Sequence, residues 1–198
     1  MRKRAEQVDE TRQRIVEAAA ELHTTRGPAK TTVSALAEVA GVTRLTVYRH
    51  FPDEDELFAA CRHHWIVQHP PPDATAWPEI ADLEERARVA LGQLYGWYGR
   101  HGDALYPIYR DMETMPRSSQ DEMRAADAHL VDALLAGSQA RGDERRRLRA
   151  AAGHVVSYRT WRSLVLEQGL AAHEAVCLAA RLLLAAPPAC DGSSRPPD

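Results

Sequence analysis

A tight turn centred on Gly41 limits what this chain can fold into more than any other feature. Apolar residues precede it at helical spacing: Val33, Leu36, Ala37 and Ala40. They predict a helix with one buried stripe. Gly41 predicts the end of that helix, because a sharp turn there requires a positive φ that glycine adopts at low cost. Thr43 then suits the cap of a second helix over residues 44–50. Two short helices joined in this way form a helix-turn-helix.

The second helix of this motif carries polar and aromatic side chains that a protein core would not use. They are Arg44, Thr46, Tyr48, Arg49 and His50. In a helix-turn-helix the second helix enters the major groove of DNA, where arginine can contact guanine or a phosphate. Tyr48 and Thr46 suit phosphate contacts, which set register and orientation. Val47 and Phe51 are interpreted as core. The pattern predicts binding to double-stranded DNA.

These residues resemble the DNA-binding domain of TetR-family transcriptional regulators. The matching positions are Thr31, Thr32, Val33, Ala40, Gly41, Val42, Thr46, Val47, Tyr48, His50 and Phe51. The upstream residues Ile15, Ala18, Ala19, Leu22 and Gly27 fit the family's first helix. The resemblance implies a homodimeric regulator, most often a repressor, that binds a pseudo-palindromic operator. It also implies a small-molecule effector that releases the DNA.

The predicted DNA-binding residues are those of the turn and the second helix. They are Thr32, Thr43, Arg44, Leu45, Thr46, Tyr48, Arg49 and His50. Two positions depart from the family pattern. Leu45 stands where the family commonly has a small residue, and Glu54 stands where it often has lysine. The acidic run around Glu54 suits a helix N-terminus but weakens attraction to the DNA backbone. A ligand-binding or adaptor protein with weakened DNA binding is therefore an alternative.

Apolar periodicity predicts an all-α protein of about nine helices, with an N-terminal helix-turn-helix three-helix domain and a C-terminal helical bundle. The predicted domains are residues 1–68 for DNA binding, a Pro-rich loop at 69–78, a ligand-binding and dimerisation domain at 79–186, and a disordered tail at 187–198. Beyond the loop, helices are predicted over about 79–100, 103–115, 118–137, 143–168 and 172–185, with Asp143 as a cap.

The last predicted helix is apolar on nearly all sides over residues 176–184, which predicts burial against a second copy of the chain. Aromatic, histidine and methionine residues of the C-terminal part predict an apolar effector pocket. The candidates are Tyr95, Tyr98, Tyr106, Tyr109, Met112, His129, His154, Tyr158 and Trp161. Each one alone is better explained as ordinary core. The inner stripes show no Arg or Lys, so the expected effector is apolar.

The totals and the remaining clusters predict no cofactor, no metal and no catalytic residue. The net charge is −3, which is not that of a nonspecific DNA coat. Three widely spaced cysteines indicate a reducing compartment, and no run approaches the ~20 apolar residues of a membrane span, so a soluble cytoplasmic protein is expected. Cys61, His63, His64 and His69 match no zinc spacing. An all-α enzyme is a further alternative, although no nucleophile or acid–base set is visible.

Overall fold

The computed structural model describes residues 2–185, with side chains from Glu6 onward, so the predicted tail at 187–198 lies outside the described residues. Within this range the chain forms α-helices and no strand, which confirms the all-α fold class. The α-helices are α1 Arg2–Thr25, α2 Val33–Ala40, α3 Arg44–His50, α4 Glu54–Gln68, α5 Leu83–Arg110, α6 Arg117–Leu134, α7 Gly142–Val156, α8 Tyr158–Arg162 and α9 Ala172–Leu184. Short 3-10 turns occupy Pro28–Lys30, Ala74–Glu79 and Met112–Thr114, and a π-helix occupies Ser163–Glu167.

The described chain divides into two compact units. Unit 1 contains the residues up to Pro71 together with Arg100–Ala125, and unit 2 contains Pro72–Gly99 and the residues from Ala126 on. One boundary falls inside the Pro-rich loop predicted at 69–78. The others fall inside α5 and α6, so residues 100–125 pack with the N-terminal helices, which the predicted range of 79–186 did not anticipate.

The core of unit 1 is built from the apolar faces of the first four helices. Its buried residues include Ile15, Ala19, Leu22, Leu36, Val47, Phe51 and Cys61. Val42, directly after the turn, packs against this core. The helical spacing of these residues explains why α1, α2 and α3 each turn one stripe inward.

A buried polar contact joins α1 to α4. Nδ1 of His23 lies 3.4 Å from Sγ of Cys61, and the His23 ring stacks on Phe58 with centroids 4.6 Å apart. Burial lowers the pKa of His23 to about 4 and raises the pKa of the Cys61 thiol to about 12. Both side chains are therefore neutral at pH 7 and serve packing.

We expect His23 to make the protein sensitive to acid. The unfolded chain takes up this proton below about pH 6.5 and the folded protein only below about 4, so the free energy of unfolding should fall by about 3 kcal/mol between these values. His23→Leu should remove this loss, whereas the exposed His63→Leu should not. Urea unfolding of each variant and of the wild type at pH 7 and at pH 4.5 measures this change in the free energy of unfolding.

The readout of this test is the difference between the variant and the wild type. Asp127 of unit 2 has a pKa raised to about 6 by burial, so its contribution runs in the opposite direction over the same range. The protonated carboxyl of Asp127 stabilises the folded protein, and this contribution is lost as the pH rises from 3.8 to about 6. A pH dependence that is unchanged in His23→Leu would contradict the assignment.

Residues 110 and 111 hold the end of α5 to the turn that follows α1. Nε of Arg110 donates to Oδ1 of Asp111 at 2.6 Å, and Nη2 of Arg110 donates to the carbonyl of Arg26 at 2.8 Å. The backbone N–H of Ala29 donates to Oδ2 of Asp111 at 3.2 Å. The hydrogen bond from Arg110 holds the pKa of Asp111 below its ordinary value. Gly27 has φ of 97° and a Cβ there would collide with both side chains, so glycine is required.

Unit 2 has an aromatic core. The hydroxyl of Tyr95 donates to the carbonyl of Val155 at 2.9 Å, and the hydroxyl of Tyr98 donates to the carbonyl of Val156 at 2.8 Å. Tyr158 packs edge-on against Tyr98, with ring centroids 5.5 Å apart. These phenols satisfy the last carbonyls of α7, where the helix gives way to α8.

Arg86 is a buried cation that the periodicity argument missed. Only 4% of its surface is exposed, and its guanidinium donates to the carbonyls of Ile80, Leu134 and Ala136. It therefore ties the 3-10 turn before α5 to the C-terminal end of α6. The expectation that no Arg or Lys faces inward in this part of the chain is wrong, although the donors of Arg86 bond to backbone carbonyls.

Three predicted helix bounds differ from the structure. The helix predicted to end near residue 100 continues to Arg110 and contains Pro107. The helix predicted over 143–168 breaks at Ser157, whose extended backbone (φ −67°, ψ 136°) ends α7 and whose side chain accepts the N–H of Arg159. Asp143 is not a cap, because it lies in the first turn and pairs with Arg146 at 3.0 Å. Among the described helices, none combines the length and apolar composition needed to cross a membrane.

Candidate DNA-binding site

The turn between α2 and α3 is closed by backbone hydrogen bonds. Gly41 adopts the left-handed conformation (φ 64°, ψ 40°) and its N–H donates to the carbonyl of Glu38 at 3.1 Å. The N–H of Val42 reaches back to the carbonyl of Ala37 at 2.9 Å. This pair of bonds closes a Schellman-type end, which directs the chain sharply into α3.

Two predicted site residues cap the helices of the motif. Oγ1 of Thr32 accepts the N–H of Ala35, and Oγ1 of Thr43 accepts the N–H of Thr46, both at 3.2 Å. The hydroxyls of Thr43 and Thr46 also lie 2.9 Å apart. Because each hydroxyl has one proton and two lone pairs, a capping threonine can still contact a phosphate oxygen.

The seven residues of α3 are divided between core and solvent. Val47 is 2% exposed and fixes the inner face, together with Phe51 directly after the helix. The opposite face carries exposed side chains: Arg44, Leu45, Tyr48 and Arg49. The structure thus brings these four predicted contact residues onto one solvent-facing surface of α3, which is the arrangement that groove insertion requires.

His50 lies at the edge of this surface and is half-buried. Burial lowers its pKa, and the nearby positive charges of Arg49 and Arg12 lower it further. Its imidazole is therefore mostly neutral at pH 7, and it can offer a hydrogen bond to DNA rather than a full charge.

Residues beyond the motif hold α3 and the start of α4 in place. The guanidinium of Arg12 in α1 lies 4.3 Å from the ring centroid of Phe51 and bonds Oε1 of Glu56 at 2.6 Å. Asp53 caps α4 by accepting the N–H of Asp55 at 3.0 Å, and Asp55 accepts a hydrogen bond from Ser118. Asp53, Asp55 and Glu56, which belong to the acidic run around Glu54, thus already bond to other groups of the protein. Arg12 was missed, because its contacts lie 39 and 44 residues away in sequence.

Part of the chain is similar in sequence to known proteins. Residues 15–61 match the family described as "Bacterial regulatory proteins, tetR family". The chain is 45% identical over 60 residues to the HTH-type transcriptional regulator TtgR of Pseudomonas putida, which is 30% of this chain and 29% of TtgR. It is 40% identical over 58 residues to AcrR of Shigella flexneri, 29% of this chain and 27% of AcrR. Over residues 15–61 this chain is therefore similar to bacterial regulatory proteins of the tetR family.

Solved structures extend the likeness in fold beyond that segment. A TetR-like transcriptional regulator from Rhodococcus sp. RHA1 covers 88% of this chain with a TM-score of 0.53 and 23% identity, and the match spans 93% of its own length. A second TetR regulator from the same organism covers 86% with a TM-score of 0.52, also at 23% identity. The likeness in fold therefore includes the C-terminal helices. The matched sequence segments of TtgR and AcrR, in contrast, span less than a third of those proteins.

The predicted effector residues fall in both units. Tyr106, Tyr109 and Met112 belong to unit 1, and the others belong to unit 2. In unit 2, Tyr95, Tyr98, Tyr158 and Trp161 are at most 3% exposed and pack together, whereas His129 and His154 are exposed. The hydroxyls of Tyr95 and Tyr98 are already bonded to carbonyls, so the four aromatic residues are core as the structure stands. Effector binding by this set stays a prediction.

His64 and His69, which lie close to Cys61 in sequence, do not form a metal site with it. His64 bonds Gln13 and Gln68, at 3.2 Å and 3.0 Å, and Nδ1 of His69 bonds the carbonyl of Trp65 at 3.0 Å. Within the described part of the chain, no group of three or more His, Cys, Asp or Glu is placed to hold a metal ion. The pKa of Cys61 is raised, so its thiol is a poor nucleophile and a poor ligand.

Proposed function

We propose that this protein is a TetR-family, sequence-specific DNA-binding repressor that acts as a homodimer in the cytoplasm, the compartment that holds bacterial DNA. The observation that carries the proposal is the exposed polar face of α3, held by a closed turn and by a buried apolar stripe. Such a face has no packing role within unit 1. The match to DNA-binding regulators over residues 15–61 covers this same segment.

Within this proposal the side chains of α3 have separate roles. Arg44 would contact guanine or a phosphate, and Arg49 would contact phosphates. Tyr48 and Thr46 would position the helix on the backbone, with Thr32 and Thr43 as capping residues that also reach phosphates. A dimer carries two such helices, so the operator should contain two related half-sites in opposite orientation.

The homodimer is supported by apolar side chains left exposed near the C-terminal end of unit 2. Leu178 and Leu182 lie four residues apart on one face of α9 and are 39% and 47% exposed. Leu166, in the π-helix before α9, is 52% exposed. Three leucines exposed on neighbouring helical segments fit an interface with a second copy better than contact with water.

Release of DNA by a small apolar effector is the remaining part of the proposal, and the similarity of residues 15–61 to the tetR family supports it. An effector acts only if it prefers one conformation of the dimer over the other. A thermal-shift screen with apolar and polyanionic compounds, followed by DNA-release assays of each hit, tests this part. Stabilisation by polyanionic compounds alone would contradict it.

The DNA-binding proposal is tested by fluorescence anisotropy with labelled genomic fragments at several salt concentrations. We expect one class of fragment to bind far more tightly than random DNA, with affinity that falls steeply as salt rises because phosphate contacts release counterions. Equal, weak binding to all fragments would instead support the adaptor alternative.

A further inference from the structure

Leu45 is the most exposed large apolar side chain in the described part of the chain, with 75% of its surface open to solvent. A single exposed leucine is common on protein surfaces and needs no explanation by itself. The position of Leu45 gives the observation its weight, because it lies on the outer face of α3 among Arg44, Tyr48 and Arg49. Tyr48, three residues on and 49% exposed, is its neighbour on that face.

We propose that Leu45 reads the C5-methyl group of a thymine in the major groove, and that this contact sets the sequence preference of the protein at one position of each half-site. The proposal rests on the DNA-binding function proposed above. The leucine side chain has no hydrogen-bond donor or acceptor, so this side chain cannot read the polar pattern of a base edge or hold a phosphate. The thymine methyl is the one apolar group that a base pair presents in the major groove.

The alternatives at this position are unfavourable for a leucine. If cytosine, guanine or adenine lay opposite Leu45, the side chain would cover polar base edges and deprive them of water without offering a hydrogen bond. Placing the leucine against a methyl group removes apolar surface from water on both partners. The same side chain thus attracts thymine and disfavours the other bases, while Arg44 and Tyr48 supply the polar contacts beside it.

Replacing thymine by deoxyuridine tests the contact, because it removes only the methyl group. The duplex that the wild-type protein selects is synthesised with deoxyuridine at each thymine position in turn, in both half-sites. At one of these positions, deoxyuridine should weaken wild-type binding by about fourfold per half-site, which is the value expected for one buried methyl group. With both half-sites substituted, binding should weaken by roughly 15-fold in total. Leu45→Ala should bind the parent duplex and this deoxyuridine duplex equally, whereas Leu45→Met should keep the preference for thymine. Val89 is an exposed apolar residue of unit 2, so Val89→Ala is the matched control and should also keep the preference.

The possible outcomes separate this inference from the function on which it rests. If the wild type selects a duplex but no deoxyuridine weakens binding, or if Leu45→Ala keeps the full preference for thymine, the leucine contact is wrong and DNA binding stands. If no duplex is selected, both proposals fail. Should Leu45→Ala bind the parent duplex too weakly for titration, selection with the variant should yield sites that have lost thymine at that one position, and retained thymine would overturn the inference.

Discussion

Arg44→Ala and Tyr48→Ala are each expected to abolish specific DNA binding without unfolding the protein. Both side chains lie on the exposed face of α3, so their loss removes contacts to DNA and leaves the buried contacts of Val47 untouched. Loss of a good base contact, as proposed for Arg44, weakens binding by about 1–3 kcal/mol, and a dimer loses two. Loss of the phosphate contact proposed for Tyr48 removes a contact that sets the register of α3 on the duplex. Titration of the selected duplex by fluorescence anisotropy measures the loss of DNA binding, and thermal unfolding of each variant shows whether the fold is kept.

Matched controls for these variants lie elsewhere on the surface. Arg146 is an exposed arginine of α7 and Tyr106 is a tyrosine of α5 that is 40% exposed, so alanine at either should leave the affinity for DNA unchanged. Wild-type affinity in both α3 variants would show that α3 is not the recognition helix.

The second large effect is expected on α9, where neighbouring leucines should behave differently. Leu182→Arg places a charge on an exposed apolar face and should give a folded monomer. Leu183 is fully buried, so Leu183→Arg should bury an unpaired charge within unit 2 and give unfolded or insoluble protein. Analytical ultracentrifugation at micromolar concentration, together with circular dichroism, distinguishes these results.

Two further measurements make this test decisive. The wild type should sediment as a dimer, and His173→Ala, at an exposed position of the same helix, should sediment with it. A monomeric wild type, or a Leu182→Arg variant that remains dimeric, would contradict the proposed interface on α9.

The local part of the site followed from the sequence because its chemistry is local. Gly41 ends α2 and Thr43 caps α3 through contacts that span five residues or fewer, and the apolar spacing placed Val47 inward. These features depend on backbone conformation and periodicity, which short windows of sequence reveal.

Other features depend on contacts between residues far apart in sequence. Asp111 accepts the N–H of Ala29 across 82 residues, and Arg86 bonds the carbonyl of Leu134 across 48. No periodicity marks such partners, so the packing of residues 100–125 with the N-terminal helices and the burial of Arg86 were missed. No Gly or Pro lies beside the break at Ser157, so the sequence does not predict this break.

The effector residues show a different difficulty. Periodicity placed Tyr95, Tyr98, Tyr158 and Trp161 on inner helix faces, and all four are buried. An inner face does not distinguish a closed core from a ligand pocket, because both are lined by the same apolar and aromatic residues.

Sequence-specific DNA binding through α3 is tested by letting the full chain select duplexes from a random-sequence pool and sequencing those that remain bound. We expect enriched sequences with two inverted half-sites, centred about one helical turn apart or a multiple of it, and no enrichment with Arg44→Ala. Enriched sequences that are indistinguishable from the starting pool, or the same enrichment with both the wild type and Arg44→Ala, would contradict it.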